Sequence, residues 1–173
     1  ISNIQGDFQC IDYFYVKEFV MPFIRVAGDM TIALNSGSVN TAAEIEFPKL
    51  QEIGGTLTLG TNRNANNITF PLLKKILGSC SVTTYKLKND IEFTNLESIG
   101  TDGADAQIKF EIEATNILCP KLKTINGKFD IATSSFMFDM EVDKVSYPNV
   151  ESISENLSIT CPYSDFGSNG ILS

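Results

Sequence analysis

Histidine and tryptophan are absent from this chain of 173 residues, and arginine occurs only as Arg25 and Arg63. Without histidine the chain lacks the commonest general base at neutral pH and the commonest metal ligand. Cysteine is sparse as well: Cys10, Cys80, Cys119 and Cys161 form no C-x-x-C pair, which argues against a zinc site. No apolar run approaches the roughly 20 residues that carry a helix across a bilayer. Positive charge is short, with 13 Lys and Arg against 21 Asp and Glu and a net charge of −8. Such a surface repels a phosphate backbone, so nucleic acid is not an expected partner, and the acidity serves solubility.

What is present suits a folded domain. A hydrophobic content of 43% with 20% charge argues against disorder. The length fits one domain, residues 1–173, with no linker visible. The informative feature is repetition. FPKLQEIGGTLTL at 47–59 returns as FPLLKKILGSCSV at 70–82 and as CPKLKTINGKFDI at 119–131. Pro22, Pro48, Pro71, Pro120 and Pro148 share one position of the repeat, and Thr94 takes it in FTNLESIG. A period of 20–50 residues is the mark of a solenoid or array.

The repeat resolves into columns. Before the proline stands a short alternating strand, with Phe19/Met21, Ile45/Phe47, Ile68/Phe70, Ile91/Phe93, Ile117/Cys119 and Val145/Tyr147 facing inward. After it come Ile24, Leu50, Leu73, Leu96, Leu122 and Val150, then Val26, Ile53, Ile76, Ile99, Ile125 and Ile153. Gly28, Gly55, Gly78 and Gly127 follow, and a second alternating pair closes the unit: Met30/Ile32, Leu57/Leu59, Cys80/Val82, Phe129/Ile131 and Leu157/Ile159. The fifth unit carries an insertion after Ile99, and Ile108, Phe110 and Ile112 resume the pattern. Alternation puts apolar side chains on one face of a strand. Proline lacks an N–H and suits the corner where a strand ends; glycine admits a close approach or a positive φ at the next corner. One unit cannot bury its own apolar face, but stacked units bury all of them. The polar connectors 34–44 and 61–67 are expected to be loops with room for a short helical turn. About seven coils at a strand spacing of roughly 4.8 Å give a rod of about 30 Å.

The phrase L-x-x-I-x-G-x-L-x-I, present as LQEIGGTLTL (50–59), LKTINGKFDI (122–131) and VESISENLSI (150–159), resembles receptor L domains and the related repeats of fungal and bacterial cell-surface proteins. The resemblance implies a right-handed parallel β-solenoid, related to leucine-rich repeats. It also implies a location at the cell surface or outside the cell, with a lipid anchor as one form of attachment, and a role in binding. Two features depart from that kinship: no column holds asparagine throughout, and no disulfide-rich module flanks the repeats.

The chemically active residues are few. The cysteines share no column of adjacent coils, so they are expected to be buried thiols packed as small hydrophobes. Asp102 and Asp105 in the insertion are too few for a calcium ligand set. Asp139, Glu141 and Asp143, like Glu111 and Glu113, alternate with apolar residues and read as the wet side of strands. Paired carboxylates on neighbouring coils would suit polysaccharide cleavage, but neither Arg25 nor Arg63 belongs to an acidic cluster that would support it. Asn67 and Asn156 begin triplets that accept glycans in a eukaryotic secretory protein. The expectation is a non-catalytic module without cofactor or metal, recognising a protein or glycan, with a spacer role as the alternative. Its candidate binding face is the outward side of the second strand: Thr31, Thr56, Thr58, Ser79, Ser81, Lys128 and Asp130. The terminal coils need covers, for which DYFYVKEF (12–19), PYSDFGSNGILS (162–173) or self-association, end to end or along an edge, are the candidates.

Overall fold

The structure is a computed structural model that describes residues 1–12, 18–35, 43–62, 65–85, 91–101, 106–112, 116–132, 144–146, 149–155 and 157–160. It is mainly β, with parallel strands wound as a β-solenoid, and all regular structure among the described residues is strand. The chain visits three sheets in rotation, which form three walls around one core. The first wall stacks seven short strands: Asn3–Ile4, Arg25–Val26, Glu52–Ile53, Lys75–Ile76, Ser98–Ile99, Thr124–Ile125 and Ser152–Ile153. The second stacks seven longer ones: Phe8–Asp12, Met30–Asn35, Leu57–Asn62, Cys80–Tyr85, Ala106–Ile112, Gly127–Ala132 and Leu157–Thr160. The third holds six: Glu18–Val20, Ala43–Glu46, Ala65–Thr69, Ile91–Glu92, Asn116–Leu118 and Lys144–Ser146.

The register reproduces the columns of the sequence. Ile4, Val26, Ile53, Ile76, Ile99, Ile125 and Ile153 pair in succession along the first wall. Ile45, Ile68, Ile91 and Ile117 do so along the third. Ile108 pairs with Cys80 and Phe110 with Val82, so the strand after the insertion rejoins its column. Phe70 is wholly buried, and its ring stacks on Phe47 at 5.0 Å and on Phe93 at 5.1 Å, as the sequence predicts.

Each corner has a local cause. Leu50 N–H donates to the Phe47 carbonyl, Leu73 to Phe70, Leu96 to Phe93 and Leu122 to Cys119, so each closes a four-residue turn. Proline stands at the second position of three of these turns, where its fixed φ is pre-set, and Thr94 takes that position in the fourth. At the next corner Gly28 N–H donates to Gly6 O, Gly55 to Gly28 and Gly78 to Gly55, at 2.9–3.1 Å. The glycines are there because the backbones meet: a Cβ on Gly78 would lie 2.7 Å from the carbonyl carbon of Gly55. Gly100, at φ 79°, has the other reason, since that left-handed backbone favours glycine.

Two expectations change, and one detail is added. The first repeat is one residue shorter at its proline corner. Counting back from the paired Val26 and Ile53 therefore sets Phe23, not Ile24, opposite Leu50. Phe23 is buried and Ile24 exposed accordingly. The connectors are also shorter than expected: Met30–Asn35, Leu57–Asn62 and Ala65–Thr69 carry strand into segments assigned to loops. Their polar residues are held by backbone pairing to equally polar neighbours, Asn35 to Asn62 and Asn62 to Tyr85, which hydrophobic alternation does not report. Finally, Asn149 after Pro148 and Asn95 after Thr94 hold the same repeat position and donate from Nδ2 to the carbonyls of Pro120 and Pro71 one repeat back, each at 2.5 Å. Asn126 does the same at the glycine corner, donating to the Gly100 carbonyl at 3.3 Å, so asparagine bridges repeats at three corners although no column carries it throughout.

Candidate functional site

The three walls differ on the outside, and the difference locates the candidate site. On the third wall Glu44 and Glu92 are exposed and Glu46 is half-buried, giving an acidic surface. On the first wall charges of both signs alternate. Arg25 Nε donates to Glu52 Oε1 at 2.8 Å, Lys123 Nζ lies 3.6 Å from Glu151 Oε1, and Lys121 Nζ donates to Asn95 Oδ1 at 2.5 Å. The second wall carries short side chains at its centre.

Strand register sorts the residues named from the sequence into two groups. Thr31 pairs with Thr58 and Thr58 with Ser81; the row continues through Lys109 to the backbone position of Asp130, whose side chain lies outside the described residues. Thr58 is exposed, while Thr31 and Ser81 are half-buried. Thr56, Ser79 and Lys128 belong to a different row. They follow Asp7 and Asp29 at the glycine corner, and there the side chains have another task. Asp7 Oδ1 accepts the Asp29 N–H at 2.9 Å, and Asp29 Oδ1 accepts the Thr56 N–H at 2.7 Å. Lys128 Nζ lies 3.8 Å from Glu155 Oε2 in the next repeat. Thr56, Ser79 and Lys128 are each half-buried, so this row ties neighbouring repeats together at a corner.

Sequence reasoning missed a row that the longer strands add to the face. Ile11 pairs with Ala33, Ala33 with Gly60 and Gly60 with Thr83. This row lies two residues beyond the first, roughly 6.6 Å along the strand, and successive strands are about 4.8 Å apart. The centre of the wall is therefore a flat lattice of Thr31, Thr58 and Ser81 beside Ala33, Gly60 and Thr83. Nothing in it bears a formal charge, and every side chain is small. The hydroxyls donate and accept hydrogen bonds, and the threonine methyls and Ala33 supply apolar contact. The signal for the second row was present in the sequence as TIALN, LTLGTN and CSVTTY, where small or polar residues continue to alternate past the last large aliphatic.

The remaining chemistry is internal. Cys80 and Cys119 are fully buried thiols, as expected; Cys10 is half-buried and Cys161 lies outside the described residues. Burial pushes the Cys80 thiol up to about 12, and Cys119 is raised by burial and by the charge of a Cys80 thiolate. No group of three or more Cys, Asp or Glu is placed to hold a metal ion among the described residues. Asp102, Asp105, Asp139, Glu141, Asp143, Glu113, Arg63, Asn156 and the segment 162–173 lie outside the described residues, as do the side chains of Glu111 and Asn67. No helix among the described residues is long and apolar enough to cross a membrane. Searches of family models, curated proteins and solved structures gave no match to this chain.

Proposed function

We propose that this chain is a non-catalytic recognition module of a cell surface, built as a right-handed solenoid of seven coils akin to receptor L domains, and that it binds a protein or glycan through its second wall. The coil count is supported by the seven strands stacked in each of two walls. The kinship rests on the phrases at 50–59, 122–131 and 150–159, and the surface location rests on that kinship.

The observation that carries the binding proposal is the uncharged lattice of Thr31, Thr58 and Ser81 with Ala33, Gly60 and Thr83, set in a chain of net charge −8. A flat face with hydroxyls at fixed spacing offers a partner hydrogen bonds without the cost of stripping water from charges. It also loses little side-chain entropy on contact, because its residues have few rotors. Thr58→Arg with Ser81→Arg is expected to abolish partner capture on a glycan array or in a pull-down, with stability unchanged to within about 0.5 kcal/mol. Capture of the double variant at the wild-type level would remove this face from consideration. Glu46→Arg with Glu92→Arg is the companion, and a loss of binding there instead would move the site to the acidic wall.

A further inference from the structure

The outer surface of the first wall carries charge in a sequence that has a symmetry of its own. Backbone bonds run from Glu97 N–H to Lys74 O, from Lys123 to Glu97 and from Glu151 to Lys123, at 2.8–2.9 Å, so these four residues stack directly on one another. All four are exposed. Their signs alternate: positive, negative, positive, negative. The ladder is little used within the chain, since only Lys123 and Glu151 form an ion pair, with side chains 59% and 71% exposed. Lys74 and Glu97 have none among the described residues.

An alternating ladder of even length is complementary to itself when reversed. We propose that this wall is the contact surface for a second copy of the chain, packed face to face with its solenoid axis antiparallel. The two-fold axis would run along the strand direction, between Glu97 and Lys123. That operation keeps each row opposite its own counterpart and reverses the order of strands, as an isologous contact requires. Lys74 then faces Glu151 of the second copy and Glu97 faces its Lys123, and the two-fold repeats both pairs. The flanking rows do not oppose the contact. Lys75 meets Ser152 and Ser98 meets Thr124, while at the corner Leu72, 42% exposed, meets Asn149, and Asn95 meets Lys121. Sliding one copy by a single strand sets Lys74 against Lys123 and Glu97 against itself, so the ladder also fixes the register. Both second walls stay uncovered, so this contact and the recognition face stand independently.

Exposed ion pairs over so small an area make a weak, salt-sensitive dimer. The net charge of −8 on each copy sets the best conditions. Salt near about 0.1 M, with a Debye length of ~10 Å, screens the long-range repulsion but spares the close pairs, whereas about 1 M, at ~3 Å, weakens both.

Analytical ultracentrifugation of the whole chain tests the contact. Wild type is expected to self-associate near 0.1 M salt and to dissociate near 1 M. Lys74→Glu with Lys123→Glu makes the ladder all negative, and Glu97→Lys with Glu151→Lys makes it all positive. Each is expected to weaken self-association about tenfold or more, and an equimolar mixture of the two to associate again. The fourfold swap keeps the formal charge at −8, keeps the alternation, and is expected to dimerise like wild type. Circular dichroism establishes that each variant is folded. A wild type that stays monomeric throughout overturns the proposal, as does undiminished self-association of either folded double variant. If a double variant does not fold, the fourfold swap decides by itself: a folded but monomeric swap counts against the ladder.

Discussion

Phe70 shows most directly what one residue contributes here, because its ring lies between two others rather than against a mixed wall. Phe47 and Phe93 are nearly parallel to it, at 4° and 8°, and all three are wholly buried. Phe70→Ala removes the middle ring and leaves a void that its neighbours in adjacent repeats cannot fill without moving whole strands. The expected cost is about 3–5 kcal/mol in a denaturant titration, and a midpoint equal to wild type would refute the stacked core. Cys80 gives a second residue-scale expectation. Its folded value of about 12 lies above the ordinary thiol value of 9.0, because burial penalises the thiolate. The protonated thiol is thus the form the fold accommodates. Its contribution is complete below pH 9 and is lost progressively as the pH rises toward 12. Cys80→Val is expected to flatten part of the alkaline fall in a pH series of unfolding free energies. An identical slope in the variant would show that other groups govern it.

At the scale of elements, corners matter more than strand length, since first-wall strands of two residues cannot hold themselves straight. Asp29 is the clearest corner residue, accepting the Thr56 N–H at 2.7 Å while its own N–H donates to Asp7. Asp29→Ala is expected to cost about 1 kcal/mol, as for loss of a helix cap, and Asp29→Asn, which keeps an acceptor oxygen, less than half of that. Equal losses in the two variants would mean that charge rather than the hydrogen bond is what matters. The same corners explain how far the sequence could be read. Leu50, Ile53, Leu57 and their equivalents were legible because one proline, one isoleucine and one glycine recur at fixed distances. Phe23 falls outside that spacing because the corner after Pro22 is one residue shorter. The row of Ala33, Gly60 and Thr83 leaves a fainter signal, for a different reason. Large aliphatics mark only the first part of these strands, which continue as polar residues paired to polar residues. The corner roles of Asp7 and Asp29 left no signal at all, because an aspartate beside a glycine reads equally well as strand edge or turn.

At the scale of the whole molecule, each strand among the described residues pairs only with strands of the repeats beside it, and the walls are held by hydrogen bonds that run along the stacking direction. The covalent chain, by contrast, runs around the core, passing through all three walls before it advances by one strand. Seized at its two ends and pulled, such an object has no long shear plane to resist the load. Tension falls on a few hydrogen bonds of a terminal repeat at a time, and these open like the teeth of a zip while the interior stays folded. The protein is therefore expected to be mechanically soft however stable it is to heat. A single-molecule stretching trace should show a series of low, similar force peaks rather than one high one. The step between peaks follows from the repeat itself. From Pro48 to Pro71 the chain advances 23 residues, which at ~3.3–3.6 Å each release roughly 75–85 Å per opened repeat. A single rupture spanning the full contour length would show that the repeats yield together.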